Sequence, residues 1–358
     1  MRPVAYELHG LKLSYFTGKL EAYLRARGIA FTFVEMDLAD FRRCAQATGV
    51  AQMPQLRLPD GTWLTDTSAI IARMEDMDPG PGFRPCTATG AFLSRLLEDA
   101  FDEWLWRPAL YYRWAFAEDS RLMGRQIART LMRDVPGPLW LRTLVITARQ
   151  KREYLSGDGV TRRNGPALER QYRTVLELLE PALAQRPFLF GDRPCEADFG
   201  LFGPMFRHFS SDPTPAAILR DRAPNVLGWT ARLWAATPAT LEDRAPVGDP
   251  PDDLDPLLTC ISGDYLPYLE ANLQAVADGV RRVRFESFGG VFDVDASPYR
   301  AAGWVALRHA FDALAPEARA RVRGRLGGTT VFDRAAPVIP ASPPRPGQPI
   351  TNRHWRVP

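Results

Sequence analysis

Three hydroxyl groups crowd into four residues near the amino end of the chain. In the stretch LSYFTGKLEAYLRARGIAF, residues 13–31, Ser14, Tyr15 and Thr17 stand at the opening of an amphipathic helical pattern. The preceding PVAYELHG alternates apolar and polar residues as a strand does, and the following FTFVEMDL reads as a second strand. A strand, a polar knot opening a helix, and another strand make a βαβ unit. The knot then lies at the carboxyl end of a strand and the amino end of a helix, where anions and small ligands bind. None of the four cysteines (Cys44, Cys86, Cys195, Cys260) falls in it. The nucleophile of mixed-disulfide exchange is therefore missing from this knot.

Further segments carry polar chemistry. Met53-Pro54 precedes a strand, where proline brings no N–H to the ladder; a cis bond would turn the Met53 backbone outward and leave its N–H and C=O unpaired. Asp66-Thr67 ends a strand and opens a helix: the hydroxyl and free N–H groups suit a carboxylate, Asp66 suits an ammonium, and the same pair also serves as an ordinary cap. In FDEWLWRPALYYRWAF, residues 101–116, the spacing predicts Trp104, Pro108, Tyr111 and Tyr112 on one helical face, with Arg107 and Arg113 among them. Asp198, three residues after Cys195, occupies the acidic position of a capping box and is expected to be a structural cap. His9, His208, His309 and His354 are far apart and show no metal-ligand spacing, so no metal is expected; His9 alone is near enough to the knot to approach a ligand.

These residues need elements to hold them. Residues 1–78 alternate strands and helices in the order β-α-β-α-β-β-α, with Pro59-Asp60-Gly61 as a hairpin turn. A Pro/Gly-rich linker at 79–86 leads into 87–245, dominated by helical periodicity. Residues 246–358 read as an α/β extension with a hairpin through Gly289-Gly290 and a proline-rich tail. At 358 residues, 46% hydrophobic, 24% charged and with a net charge of +3, the chain is an ordinary globular protein. That charge gives no reason to expect nucleic acid; only three of the 45 cations are lysines, so Lys12 and Lys19 beside the knot stand out. Scattered cysteines, the lack of an apolar leader and the lack of a membrane-length run predict a cytoplasmic protein without membrane association.

A thioredoxin-like module followed by an all-α bundle resembles the cytosolic glutathione transferases over roughly the first 245 residues. SYFTGKLEAYLRARGIAF resembles the family's first loop and helix, MPQLRLPDGTWLTDTSAI its Val-Pro-x-Leu … Glu-Ser-x-Ala-Ile segment, and RPFLFGDRPCEADFGLF its Pro-Phe-Leu-x-Gly-Asp segment. The resemblance implies a cis Met53-Pro54 bond, glutathione as cosubstrate, an apolar or aromatic electrophile, and a homodimer. It puts the sulfur at Ser14, with Tyr15 and Thr17 as alternatives, and the rest of the tripeptide near Phe16, Lys19, Met53, Pro54, Asp66 and Thr67. Trp104, Arg107, Tyr111 and Arg113 would line the electrophile pocket. Asp66 departs from the usual Glu or Gln. The implied activity is glutathione conjugation, with isomerase or peroxidase chemistry as variants of the same thiolate; the rival is a non-catalytic module binding glutathione or another protein.

Overall fold

A computed structural model describes residues 6–77, 82–334 and 337. Residue 78 and linker residues 79–81, nearly all of the proline-rich tail, and His354 lie outside the described residues.

The amino-terminal region is a four-stranded mixed sheet with three helices. Strand β1 (Tyr6–Gly10) pairs in parallel with β2 (Phe31–Glu35) and antiparallel with β3 (Gln55–Arg57), which pairs antiparallel with β4 (Trp63–Thr65). Helix α1 (Tyr15–Arg27) fills the β1–β2 crossover, α2 (Leu38–Thr48) follows β2, and α3 (Thr67–Met77) follows β4. Helix α1 starts where Ser14 Oγ accepts the Thr17 N–H, and stops at Gly28, whose φ of 73° only glycine adopts cheaply. The β3–β4 turn closes as its Pro-Asp-Gly sequence requires: Asp60 accepts the Thr62 N–H at 2.8 Å and Gly61 takes φ 89°.

The helical region contains α4 (Ala88–Glu103), α5 (Trp106–Ala115), α6 (Ala117–Thr130), α7 (Leu139–Lys151), α8 (Gly165–Gln185), α9 (Glu196–Pro204), α10 (Pro213–Arg222), α11 (Pro224–Trp234) and the single turn α12 (Pro238–Leu241). One expectation is corrected here. Residues 101–116 do not form one helix, because Pro108 cannot donate to the carbonyl of Trp104, and the chain breaks at Trp104-Leu105 so that Pro108 falls in the first turn of α5. Gln171 of α8 takes the orphaned Trp104 carbonyl at 3.0 Å. Buried α9 starts from Asp198, which accepts from the backbone N–H of Cys195 (2.9 Å) and Leu189 (3.0 Å) and from Trp229 Nε1 (2.8 Å). Its Gly203 lies against the Tyr15 backbone and ring, where a Cβ would come within 3.0 Å, so α1 and α9 pack almost backbone to backbone.

The extension adds α13 (Asp255–Ala277), the hairpin β5 (Arg282–Ser287) and β6 (Gly290–Asp295), α14 (Pro298–Asp312) and α15 (Pro316–Arg325). The hairpin turn is Phe288-Gly289, both at positive φ, one residue before the expected Gly289-Gly290. One apolar core runs through all three regions, from Leu8 and Tyr15 through Phe92 and Phe199 to Trp304, Phe311 and Phe332. Helix α4 is wrapped by α9 on one side and by α14 and α15 of the extension on another. The fold is a thioredoxin-like domain followed by a helical domain, with an extra carboxyl-terminal region. No described helix is long and apolar enough to cross a membrane.

Candidate functional site

A cavity of about 720 Å³ opens where the sheet, the helical region and the extension meet. Ser14, Phe16, Met53, Pro54, Asp66 and Thr67 all line it. The Met53–Pro54 bond is cis, and among the described residues no backbone group pairs with Met53. Thr67 opens α3 at the cavity edge. Asp66 adopts φ 74° and serves two masters: Oδ1 accepts the Ser68 and Ala69 N–H groups at 3.1 and 3.3 Å, and Oδ2 accepts the Tyr299 hydroxyl at 3.3 Å. Burial raises its pKa despite those donors.

Tyr15 also lines the cavity, though with its hydroxyl spent elsewhere, and Thr17 and Lys19 lie outside it. Tyr15 turns its hydroxyl inward to donate to the Phe101 carbonyl, and burial, with Asp102 and Glu103 nearby, holds its pKa well above the usual phenol range. Thr17 is fully buried against Gly10 and does not line the cavity. Lys19 is also fully buried: it bonds Glu98, Asp102 and Ser68, and although burial alone would lower its pKa, the two carboxylates outweigh that and raise it. Lys12 is exposed, with its ammonium 5.6 Å from the Phe33 ring centre. His9 is buried under Trp63 and pairs with Asp40 at 2.8 Å. With Cys44, one helical turn beyond Asp40, these side chains gather within 4.8 Å, a grouping that sequence spacing does not reveal.

The expected electrophile residues also scatter, because the α4–α5 break rotates them apart. Trp104 donates to Asp264 of the extension at 2.7 Å. Arg107 lies 5.0 Å from the ring centres of Tyr268 and Phe285. Tyr111 donates to Glu169 at 3.0 Å, and burial together with that carboxylate pushes its pKa up to about 12. None of these three lines the cavity. Arg113 does, but its guanidinium is spent: it pairs with Asp212 at 2.8 Å and donates to the carbonyls of Leu13 and Arg207. That bond to Leu13 fixes the backbone immediately before Ser14.

Residues that sequence reasoning passed over take their place. Trp106 sits in the cavity wall, stacked on Phe16 at 5.7 Å, edge-on to Tyr154 at 5.5 Å, and donating to Asp158 at 2.9 Å. His208 faces Tyr15; burial, with Arg113 beside it, depresses its pKa well below the usual value, so its ring is neutral. Tyr299 and Arg300 of the extension complete one wall, Arg300 pairing with Glu103 at 2.6 Å. The Pro108 break was the available signal for Trp106, since it moves Trp106 off the Trp104 face. Tyr299 meets Asp66 across 233 residues, and no local pattern announces that contact.

Two family profiles match the chain in order. The profile described as "Glutathione S-transferase, N-terminal domain" matches residues 8–82, and "Glutathione S-transferase, C-terminal domain" matches 148–232. Among solved structures, the beta-etherase LigF from Sphingobium sp. strain SYK-6 is 18% identical over 66% of this chain and 99% of its own, with a TM-score of 0.46. A GST-like protein from Pseudomonas syringae is 18% identical over 65% and 67%, at 0.44. A glutathione S-transferase from Rhodospirillum rubrum F11 is 19% identical over 69% and 96%, at 0.43. No curated protein matches. With both domains present in order on a thioredoxin-like sheet and a helical partner, the chain belongs to the glutathione S-transferase superfamily.

Proposed function

We propose that the cavity binds glutathione as its thiolate and conjugates the whole tripeptide to an apolar or aromatic electrophile, the sulfur forming a new C–S bond as the electrophile's leaving group departs with the bonding pair. One observation carries the reading: the Ser14 hydroxyl at the α1 amino end, the unpaired Met53 backbone and Thr67 at the α3 amino end converge on one cavity. Met53 would hold the cysteinyl backbone of the tripeptide, Thr67 its γ-glutamyl carboxylate, and Asp66, shared with Tyr299, its ammonium. Ser14 Oγ accepts the Thr17 N–H, which leaves its own proton free to donate to the sulfur. A thiol of pKa about 8.5 is only a few per cent ionised at pH 7, and each unit of lowering is worth about 1.36 kcal/mol. A hydroxyl donor and the positive end of α1 both favour the thiolate. The electrophile would lie beyond Phe16 and Trp106, against Phe41, Leu110, Trp114 and Leu131, which also line the cavity.

The non-catalytic reading has an observation of its own. Asp102, Glu103 and Asp158 line the cavity, while Lys19 is already neutralised. Thiolate stabilisation then rests on one hydroxyl and one helix end. Retention on glutathione-agarose with conjugation of a generic aryl halide separates the two. The enzyme reading expects both, with Ser14→Ala losing at least tenfold in kcat while retention persists. Retention without turnover favours the binder, and no retention by the unmodified protein ends both glutathione readings.

A further inference from the structure

We propose that the outer face of the α6–α7 pair docks on an anionic membrane surface. Four large apolar side chains on α7 point to solvent: Trp140 (64% exposed), Leu141, Leu144 (60%) and Val145. Their spacing puts them on one helical face, and Leu122 adds an exposed apolar residue on α6. Soluble surfaces rarely leave so contiguous a large-apolar face uncovered. The two helices pack tightly at Gly124, where a Cβ would come within 2.2 Å of Thr147 Oγ1. The exposed faces are therefore neighbours.

Charge decides the occupant. Arg121, Arg125 and Arg129 are exposed at intervals of one helical turn, and no carboxylate pairs with any of them among the described residues. Other arginines nearby are matched: Arg133 pairs with Asp37 at 2.8 Å and Arg152 with Glu153 at 2.9 Å. Of the exposed acids on this pair, Glu118 lies in the first turn of α6, and Asp134 already accepts the Leu38 and Ala39 N–H groups. A second copy laid on this face would bring two unpaired basic stripes together, which is repulsive. A sheet of lipid phosphates neutralises the stripe, while Trp140 and the leucines enter the headgroup–acyl boundary. Helix α7, at 13 residues, is too short to span a bilayer and would lie on it. The inner side of the same pair contributes Ile127 and Leu131 to the cavity wall, so docking brings the cavity close to the membrane.

The test is flotation of the full chain with vesicles of phosphatidylglycerol or of phosphatidylcholine. The protein is expected to float with the first and not the second, less so as salt rises. Leu144→Asp is expected to weaken binding at least tenfold. The triple variant Arg121→Glu/Arg125→Glu/Arg129→Glu should lose at least as much, since each arginine near such a surface contributes about fivefold. Circular dichroism checks that both variants remain folded, which the exposure of these side chains predicts. No flotation with phosphatidylglycerol overturns the proposal, as does flotation that neither variant reduces. A dimer in sedimentation that Leu144→Asp dissociates, without vesicle binding, assigns the face to a second copy and equally overturns it.

Discussion

Tyr15 and Lys19 sit one turn apart on α1, and both spend on the interior the polarity that would have served a ligand. The Tyr15 hydroxyl goes to the Phe101 carbonyl. Removing it by Tyr15→Phe is expected to cost about 1 kcal/mol of stability in urea unfolding and to leave conjugation intact, whereas Ser14→Ala should lose conjugation and, because it also removes the α1 cap, cost about 1 kcal/mol as well. Asp99 offers a pH readout at this scale. Burial, reinforced by Glu103 and Glu98, pushes its pKa up to about 7, although the Tyr265 hydroxyl donates to it at 2.8 Å. An acid whose folded pKa lies above its unfolded value of about 3.9 stabilises the fold most in acid. That contribution is lost as the pH rises from about 3.9 towards about 7. Asp99→Asn should therefore flatten the fall in Tm across that window; an unchanged slope would show that other groups set it. Ser14, Met53, Asp66 and Thr67 were legible in the sequence because strand ends and helix starts are local signals. The fates of Tyr15 and Lys19 were not, because the Phe101 carbonyl and the Glu98 and Asp102 carboxylates that take them lie on α4, 79 to 86 residues away.

At the scale of elements, the junction of α4 and α5 governs which aromatic residues face the cavity. Proline forces the break, and the break moves Trp106 into the wall while sending Trp104, Arg107 and Tyr111 elsewhere. Helical periodicity read without that interruption places all of them on one face, whereas Ser14, Met53, Asp66 and Thr67, read from strand ends and helix starts, do line the cavity. The buried carbonyl orphaned at the break depends on Gln171. Gln171→Leu keeps the volume and removes the donor, so it is expected to cost about 1–3 kcal/mol, the penalty of an unsatisfied buried acceptor. A loss well under that in chemical denaturation would mean that water replaces the amide.

At the scale of the whole molecule, the extension is part of the core and not an appendage. Phe92 of α4 packs on Phe311 and Phe332, Trp104 donates to Asp264, and Arg300 pairs with Glu103. Cutting the chain after residue 245 would expose the apolar side of α4 and strand Asp99 and Glu103. Such a truncation is expected to aggregate, read by size exclusion; a monodisperse, cooperatively unfolding fragment would show that the first two regions stand alone. The sequence displayed the extension's helices and hairpin clearly enough, but not that they close over Asp66, because sequence patterns describe elements and not their docking.

Residues Val294–Arg300 supply a wall of the cavity, and they leave the ribosome after nearly everything else in the fold. The pocket is consequently a late feature of biosynthesis. A nascent or stalled polypeptide can hold the sheet and most helices yet present its ligand only a half-built cup, so occupancy reports that translation has run past this segment.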